Sequence, residues 1–203
     1  MGLNLGIKDK RLALCLTAAW HKIDAAVEQA KTARAHGAEV TVTISETTAD
    51  LARQTDDGGT SLISRVTAAT GRPPLTTLRA AERTGPGKLY DLVIVAPCTG
   101  NTLAKLANAI TDGAVPMTVK AHLRNQRPVL ISISTNDALG LNARNLGTLL
   151  NTRHVYFVPF GQDNPREKPN SLDADLNLLL PAAVAALSDH QLQPMLIQRH
   201  TNS

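Results

Sequence analysis

Residues 92–96, Leu-Val-Ile-Val-Ala, form an unbroken apolar run rich in β-branched side chains, with no polar alternation. A strand with one face in water alternates, whereas a run like this is buried on both faces, as in the middle of a parallel sheet. Such a strand needs covering elements above and below it, which restricts the chain to layered α/β architectures. Pro97 is read as the end of the strand, since proline has no N–H for the ladder. Thr99, Gly100, Asn101 and Thr102 follow as a polar loop, and from Leu103 apolar residues recur at Leu103, Leu106, Ala107 and Ile110, a helical period. A strand, a short loop and a helix in this order point free backbone N–H groups and the positive end of the helix dipole at the mouth of the sheet, a ready anion site. Thr99, Asn101 and Thr102 can add side-chain donors there. The alternative for Thr99 is a plain helix N-cap.

The rest of the chain repeats the alternation of strand and helix. Residues 12–16 are a buried strand, about 21–36 a helix closed by Gly37 in a left-handed C-cap, and 40–44 a second strand ending at Ser45. Between 46 and 88 the pattern weakens. A helical turn over 49–54, a loop at Asp56, Asp57, Gly58 and Gly59, and a helix over 61–70 ended by Gly71 lead to an irregular stretch punctuated by Pro73-Pro74 and Gly85-Pro86-Gly87. Beyond the central helix the pattern predicts a helix over 117–125, strands over 129–134 and 155–158, a helix over 141–150, and a long helix over 171–187 interrupted at Pro181. The expected fold is one α/β domain: a doubly wound, Rossmann-like parallel sheet over residues 11–203, helices on both faces, residues 1–10 as a lead-in, and ligands at the carboxyl ends of the strands.

Composition narrows the function classes. Only 2% of the 203 residues are aromatic, so the core is built from Ala, Leu, Val and Ile, and stacking surfaces for nucleic acid are missing. The net charge of +4 is spread among 17 acidic residues without a basic run, which also points away from nucleic acid. Cys15 and Cys98 lie in apolar, strand-like surroundings without zinc-ligand spacing and read as reduced core residues, and no metal site is expected. No apolar run approaches the roughly 18 residues that span a bilayer, and no signal-peptide pattern opens the chain. The expectation is a cytoplasmic protein without a membrane partner.

The segment Pro97-Cys98-Thr99-Gly100-Asn101-Thr102, followed by Lys105, Ala109 and Asp112, resembles the Pro-x-Ser/Thr-x-Asn-Ser/Thr phosphate-binding signature of the flavin-dependent cysteine-decarboxylase and flavin prenyltransferase superfamily. Within it, ISTNDALGLN at 133–142, PFGQD at 159–163, KPNS at 168–171 and QLQP at 191–194 resemble the family of dipicolinate synthase B subunits. The resemblance implies FMN as cofactor, with Thr17, Ser45, Pro97, Thr99, Gly100, Asn101, Thr102 and Asn136 around it. It also implies a flavoprotein subunit that oxidises a dihydropyridine dicarboxylate to dipicolinate alongside a dipicolinate synthase A subunit, and a homo-oligomer built from trimers. Asn136 and Asp137 are the catalytic candidates, and Asn136 is expected to face ring or substrate rather than only start a turn. Lys120, Arg124, Arg144 and Lys168 are the cations available to a dicarboxylate. Ala18-Ala19 stands where the superfamily usually has Gly-Ser. The decarboxylase histidine before the central strand and the prenyltransferase arginine after residues 129–134 have no counterpart. A non-catalytic or flavin-delivering accessory subunit, and a decarboxylase without the usual histidine, are the alternatives.

Overall fold

The computed structural model describes residues 6–54 and 61–198; the loop expected at Asp56, Asp57, Gly58 and Gly59 lies outside them. Five strands, β1 (Arg11–Leu16), β2 (Glu39–Ile44), β3 (Leu92–Cys98), β4 (Val129–Thr135) and β5 (Val155–Phe157), pair in parallel in the order β2-β1-β3-β4-β5. The chain order reverses between β1 and β3, so the crevice at their carboxyl ends is the topological switch point where open α/β sheets bind ligands. All seven residues of β3 are buried, as its apolar run requires.

Among the described residues eight helices cover the sheet: α1 (Trp20–Ala35), α2 (Glu46–Gln54), α3 (Leu62–Thr70), α4 (Leu78–Glu82), α5 (Gly100–Ala107), α6 (Ala114–Leu123), α7 (Ala143–Leu150) and α8 (Leu179–Leu187). Helix α1 packs against α3 and α8, while α6 packs against α4 and α5, and α5 against α7. Gly37 (φ 88°) and Gly71 (φ 72°) take the left-handed conformation that ends α1 and α3, at the positions where glycine stands in the sequence. In the lead-in, Ile7 is fully buried in the core. Both cysteines are free and buried; burial pushes the Cys15 thiol up to about 12 and raises that of Cys98, so both stay protonated.

Several boundaries differ from the sequence reading. Strand β3 does not stop at Pro97 but runs to Cys98, through a cis Ala96-Pro97 bond and a register shift against β4 between Val95 and Cys98. Helix α6 begins before Pro116, because a proline in the first turn forfeits only an N–H that has no helical partner there. The long helix expected over 171–187 is instead a strand, β7 (Leu172–Ala174), then a 3-10 turn, Leu176–Leu178, and α8, with Pro181 again in a first turn and no kink. The sheet is therefore parallel-dominated but mixed. Strand β7 pairs antiparallel with the end of β4 and with a two-residue strand, β6 (Phe160–Gly161).

Candidate functional site

The two loops that meet at the switch point are tied by one hydroxyl. Thr17 Oγ1, just past β1, donates to the Pro97 carbonyl at 2.7 Å and accepts the Thr99 N–H at 3.1 Å. Thr17 is 1% exposed, so its hydroxyl holds the loops rather than reaching outward. Thr99 occupies the N-cap position of α5 without capping it; its hydroxyl donates to Thr102 Oγ1 at 3.2 Å. The first intrahelical bond runs from the Leu103 N–H to the Thr99 carbonyl at 2.9 Å, which leaves the Gly100, Asn101 and Thr102 amides as the outward-pointing donors of the first turn. At Ser45 the capping role is the one observed: Oγ accepts the Thr48 N–H at 3.3 Å, starting α2.

Two adjoining cavities open at this edge and share Ala18 and Thr99 as their common wall. The smaller, about 370 Å³, is lined by Thr17, Ser45, Asn101, Thr102 and Lys105 and by the start of α6. Lys105 is held by Asp112 at 2.8 Å. Glu46 forms part of the same wall, and its Oε1 accepts the Ala114 N–H at 2.8 Å, capping α6 from another helix because Gly113 has no side chain to do so. Glu46→Ala is expected to lower stability by about 1 kcal/mol, a Tm drop of about 2–4 °C in a thermal melt.

The larger cavity, about 620 Å³, is lined by Thr99, Gly100, Asn136, Lys168 and His21, among others. Asn136 is exposed there, its Oδ1 only weakly bonded by Ser171 Oγ at 3.5 Å. Asp137, by contrast, is committed on both oxygens, to Thr135 Oγ1 at 2.6 Å and Asn142 Nδ2 at 2.7 Å. Asn145 donates to Asn142 Oδ1 at 2.8 Å, and Asn108 to Asn145 Oδ1 at 3.2 Å, so a chain of amides fastens the β4 loop to α7 and α5. Of the four cations named from the sequence, Lys168 alone lines either cavity; Lys120 sits in the last turn of α6 and Arg124 at its C-cap, and Arg144 is exposed on α7. Sequence reasoning missed His21 in the cavity wall, and the pair Lys22 Nζ to Asp173 Oδ2 at 2.6 Å, which joins α1 to β7.

The first loop takes Ala18-Ala19 without strain. Neither residue has a positive φ, so glycine's freedom is not needed there, although the hydroxyl of the usual Gly-Ser pair is missing. The flavoprotein family model matches residues 4–166. The chain belongs to the flavoprotein family. It is 39% identical over 194 residues to the B subunit of dipicolinate synthase from Bacillus subtilis (strain 168), covering 96% of each chain. The crystal structure of the dipicolinate synthase B subunit from Bacillus halodurans C superposes with a TM-score of 0.86 at 39% identity, over 96% of this chain and 100% of that one. A more distant structure, that of DmrB from Burkholderia xenovorans, solved in complex with FMN as a cubic cage, shares the fold at a TM-score of 0.64 and 15% identity, over 89% and 96% of the two chains. Among the described residues no helix is long and apolar enough to cross a membrane.

Proposed function

We propose that this chain is the FMN-carrying subunit of a dipicolinate synthase, oxidising a dihydropyridine dicarboxylate to dipicolinate together with an A subunit. The observation that carries the reading is the 39% identity to a dipicolinate synthase B subunit along nearly the whole of both chains.

The residues at the switch point fit a flavin mononucleotide. The outward amides of Gly100, Asn101 and Thr102, the Thr102 hydroxyl and the Lys105 ammonium make the smaller cavity a phosphate receiver. The larger cavity, reached across Ala18 and Thr99, offers the exposed, weakly bonded amide of Asn136 to ring or substrate. When bound, flavin supplies a two-electron acceptor, which no side chain provides. The protein's own contribution is to hold ring and substrate side by side and to meet the dicarboxylate with Lys168. Thr17 ties the loop at Pro97 to β1, and Ser45 caps α2 while lining the smaller cavity beside the phosphate position.

Self-association into a trimer-based assembly belongs to the same reading and is supported by the assemblies of proteins with this fold, a dodecameric FMN-dependent decarboxylase from Escherichia coli O157:H7 and the cubic cage of DmrB. Light scattering on the eluting peak is expected to give a multiple of three chains. The activity test is reconstitution: flavin-loaded protein mixed with the A subunit and dihydrodipicolinate is expected to form dipicolinate, and a mixture in which omitting this chain leaves the rate unchanged would refute the assignment.

A further inference from the structure

We propose that Asp163 is the proton acceptor in the larger cavity, a catalytic residue for the aromatisation; the inference rests on the function proposed above. Asp163 follows β6 and lines the cavity beside Asn136 and Lys168. Its Oδ1 is buried and has no hydrogen-bond partner among the described residues. The other carboxylates of the cavity are engaged by protein donors: Asp137 on both oxygens by Thr135 and Asn142, and Asp173 through Oδ2 by Lys22. Oδ1 is turned inward, and no described side chain holds the rest of this carboxylate, which is only partly buried in the cavity wall and is therefore free to take up a proton there.

The reaction requires such a group. Turning a dihydropyridine into a pyridine removes two electrons and two hydrogens. One hydrogen leaves its ring carbon as hydride, taking the C–H pair to the two-electron acceptor, a flavin in this reading. The other leaves the neighbouring carbon as a proton to the Asp163 carboxylate, and its C–H pair stays behind as the new π bond. The proton then passes from the carboxylic acid to solvent through the open mouth of the cavity. Asp163 is only partly buried as a residue, which keeps that exit available.

The test is Asp163→Asn, isosteric and uncharged, in the flavin-loaded protein with the A subunit. Flavin content and Tm are expected to match the parent. Affinity for dipicolinate, read from perturbation of the flavin spectrum, is expected to be unchanged or tighter, because a negative charge beside the carboxylates has gone. Dipicolinate formation is expected to fall about 100-fold or more. Asp163→Glu, which keeps a carboxylate, is expected to remain at least about ten-fold faster than the Asn variant. Turnover of Asp163→Asn within about three-fold of the parent, or equal rates for the Asn and Glu variants, would overturn the assignment. A parent that forms no dipicolinate with the A subunit would instead overturn the function itself, and this inference with it.

Discussion

Gly100→Ala is expected to unfold at markedly lower temperature than the parent and to lose flavin, with Gly100→Val only slightly worse. A Cβ at residue 100 would lie 2.6 Å from Thr135 Oγ1, 2.7 Å from Asp137 Oδ1 and 2.8 Å from Asn142 Nδ2. Those three groups are bonded to one another and, through Asn145 and Asn108, to α7 and α5, so none of them is a free side-chain end that can swing away. Relief requires either moving the start of α5, which carries the outward amides, or breaking the two bonds to the Asp137 carboxylate. Overpacking costs about 1–3 kcal/mol and a hydrogen bond to a charged group about 1.5–3 kcal/mol, so a total of about 3 kcal/mol is expected. Flavin affinity is expected to fall as well, by about tenfold or more, because relief at the start of α5 displaces the outward amides, and tenfold corresponds to about 1.4 kcal/mol. Thermal melts and flavin titration check this, and a Gly100→Ala protein with the parent's Tm would show that the contact yields more easily than its geometry implies.

The second large effect is on acid stability. His122 lies on α6, 5% exposed, with Nε2 buried and unpartnered among the described residues. Burial pulls its pKa down from 6.5 to about 4, with the Arg127 charge acting in the same direction and the Pro128 backbone and Asp91 opposing. Because the folded value lies below the unfolded one, the unfolded chain takes up a proton first as pH falls. Stability is therefore complete above about pH 6.5 and is lost on the way down to about pH 4. At about 1.36 kcal/mol per unit, the loss from this group comes to about 3 kcal/mol. Below that window Asp91 takes over. Burial raises its carboxyl, but the hydrogen bonds and charge of Arg11, with Arg127, outweigh that and hold it below its ordinary range, so its stabilisation disappears on protonation at still lower pH. Urea unfolding of the parent and His122→Asn across this range is expected to show a sloping parent and a flatter variant. Parallel curves would exclude His122 as the source.

How much of this was legible in the sequence follows from how each feature is encoded. Strand β3 and helix α5 carry their burial in their own residues, and both were readable together with the loop that joins them. Glycines at 37 and 71 marked helix ends for the same local reason. Strands β6 and β7 are two and three residues long, too short for any periodicity, and exist because β4 offers its end as a pairing edge. The Lys22 and Asp173 pair spans 151 residues, and only the fold brings its members together. Proline misled at 97 and at 181: strand β3 takes Pro97 at its register shift against β4, and Pro181, like Pro116 in α6, stands in a first helical turn, where its missing N–H has no partner. Asn136 and Asp137 were equal contenders in sequence; geometry separates them, committing Asp137 to the loop and leaving Asn136 in the cavity.

The most direct test of the proposed function is a stopped-flow experiment without oxygen. Flavin-loaded protein and the A subunit are mixed with dihydrodipicolinate, and absorbance is followed at about 450 nm, where bound oxidised flavin absorbs and no amino acid does. Bleaching of that band is expected, with one dipicolinate formed per flavin reduced. Dipicolinate appearing with the band unchanged, or a protein that takes up no flavin at all, would contradict it.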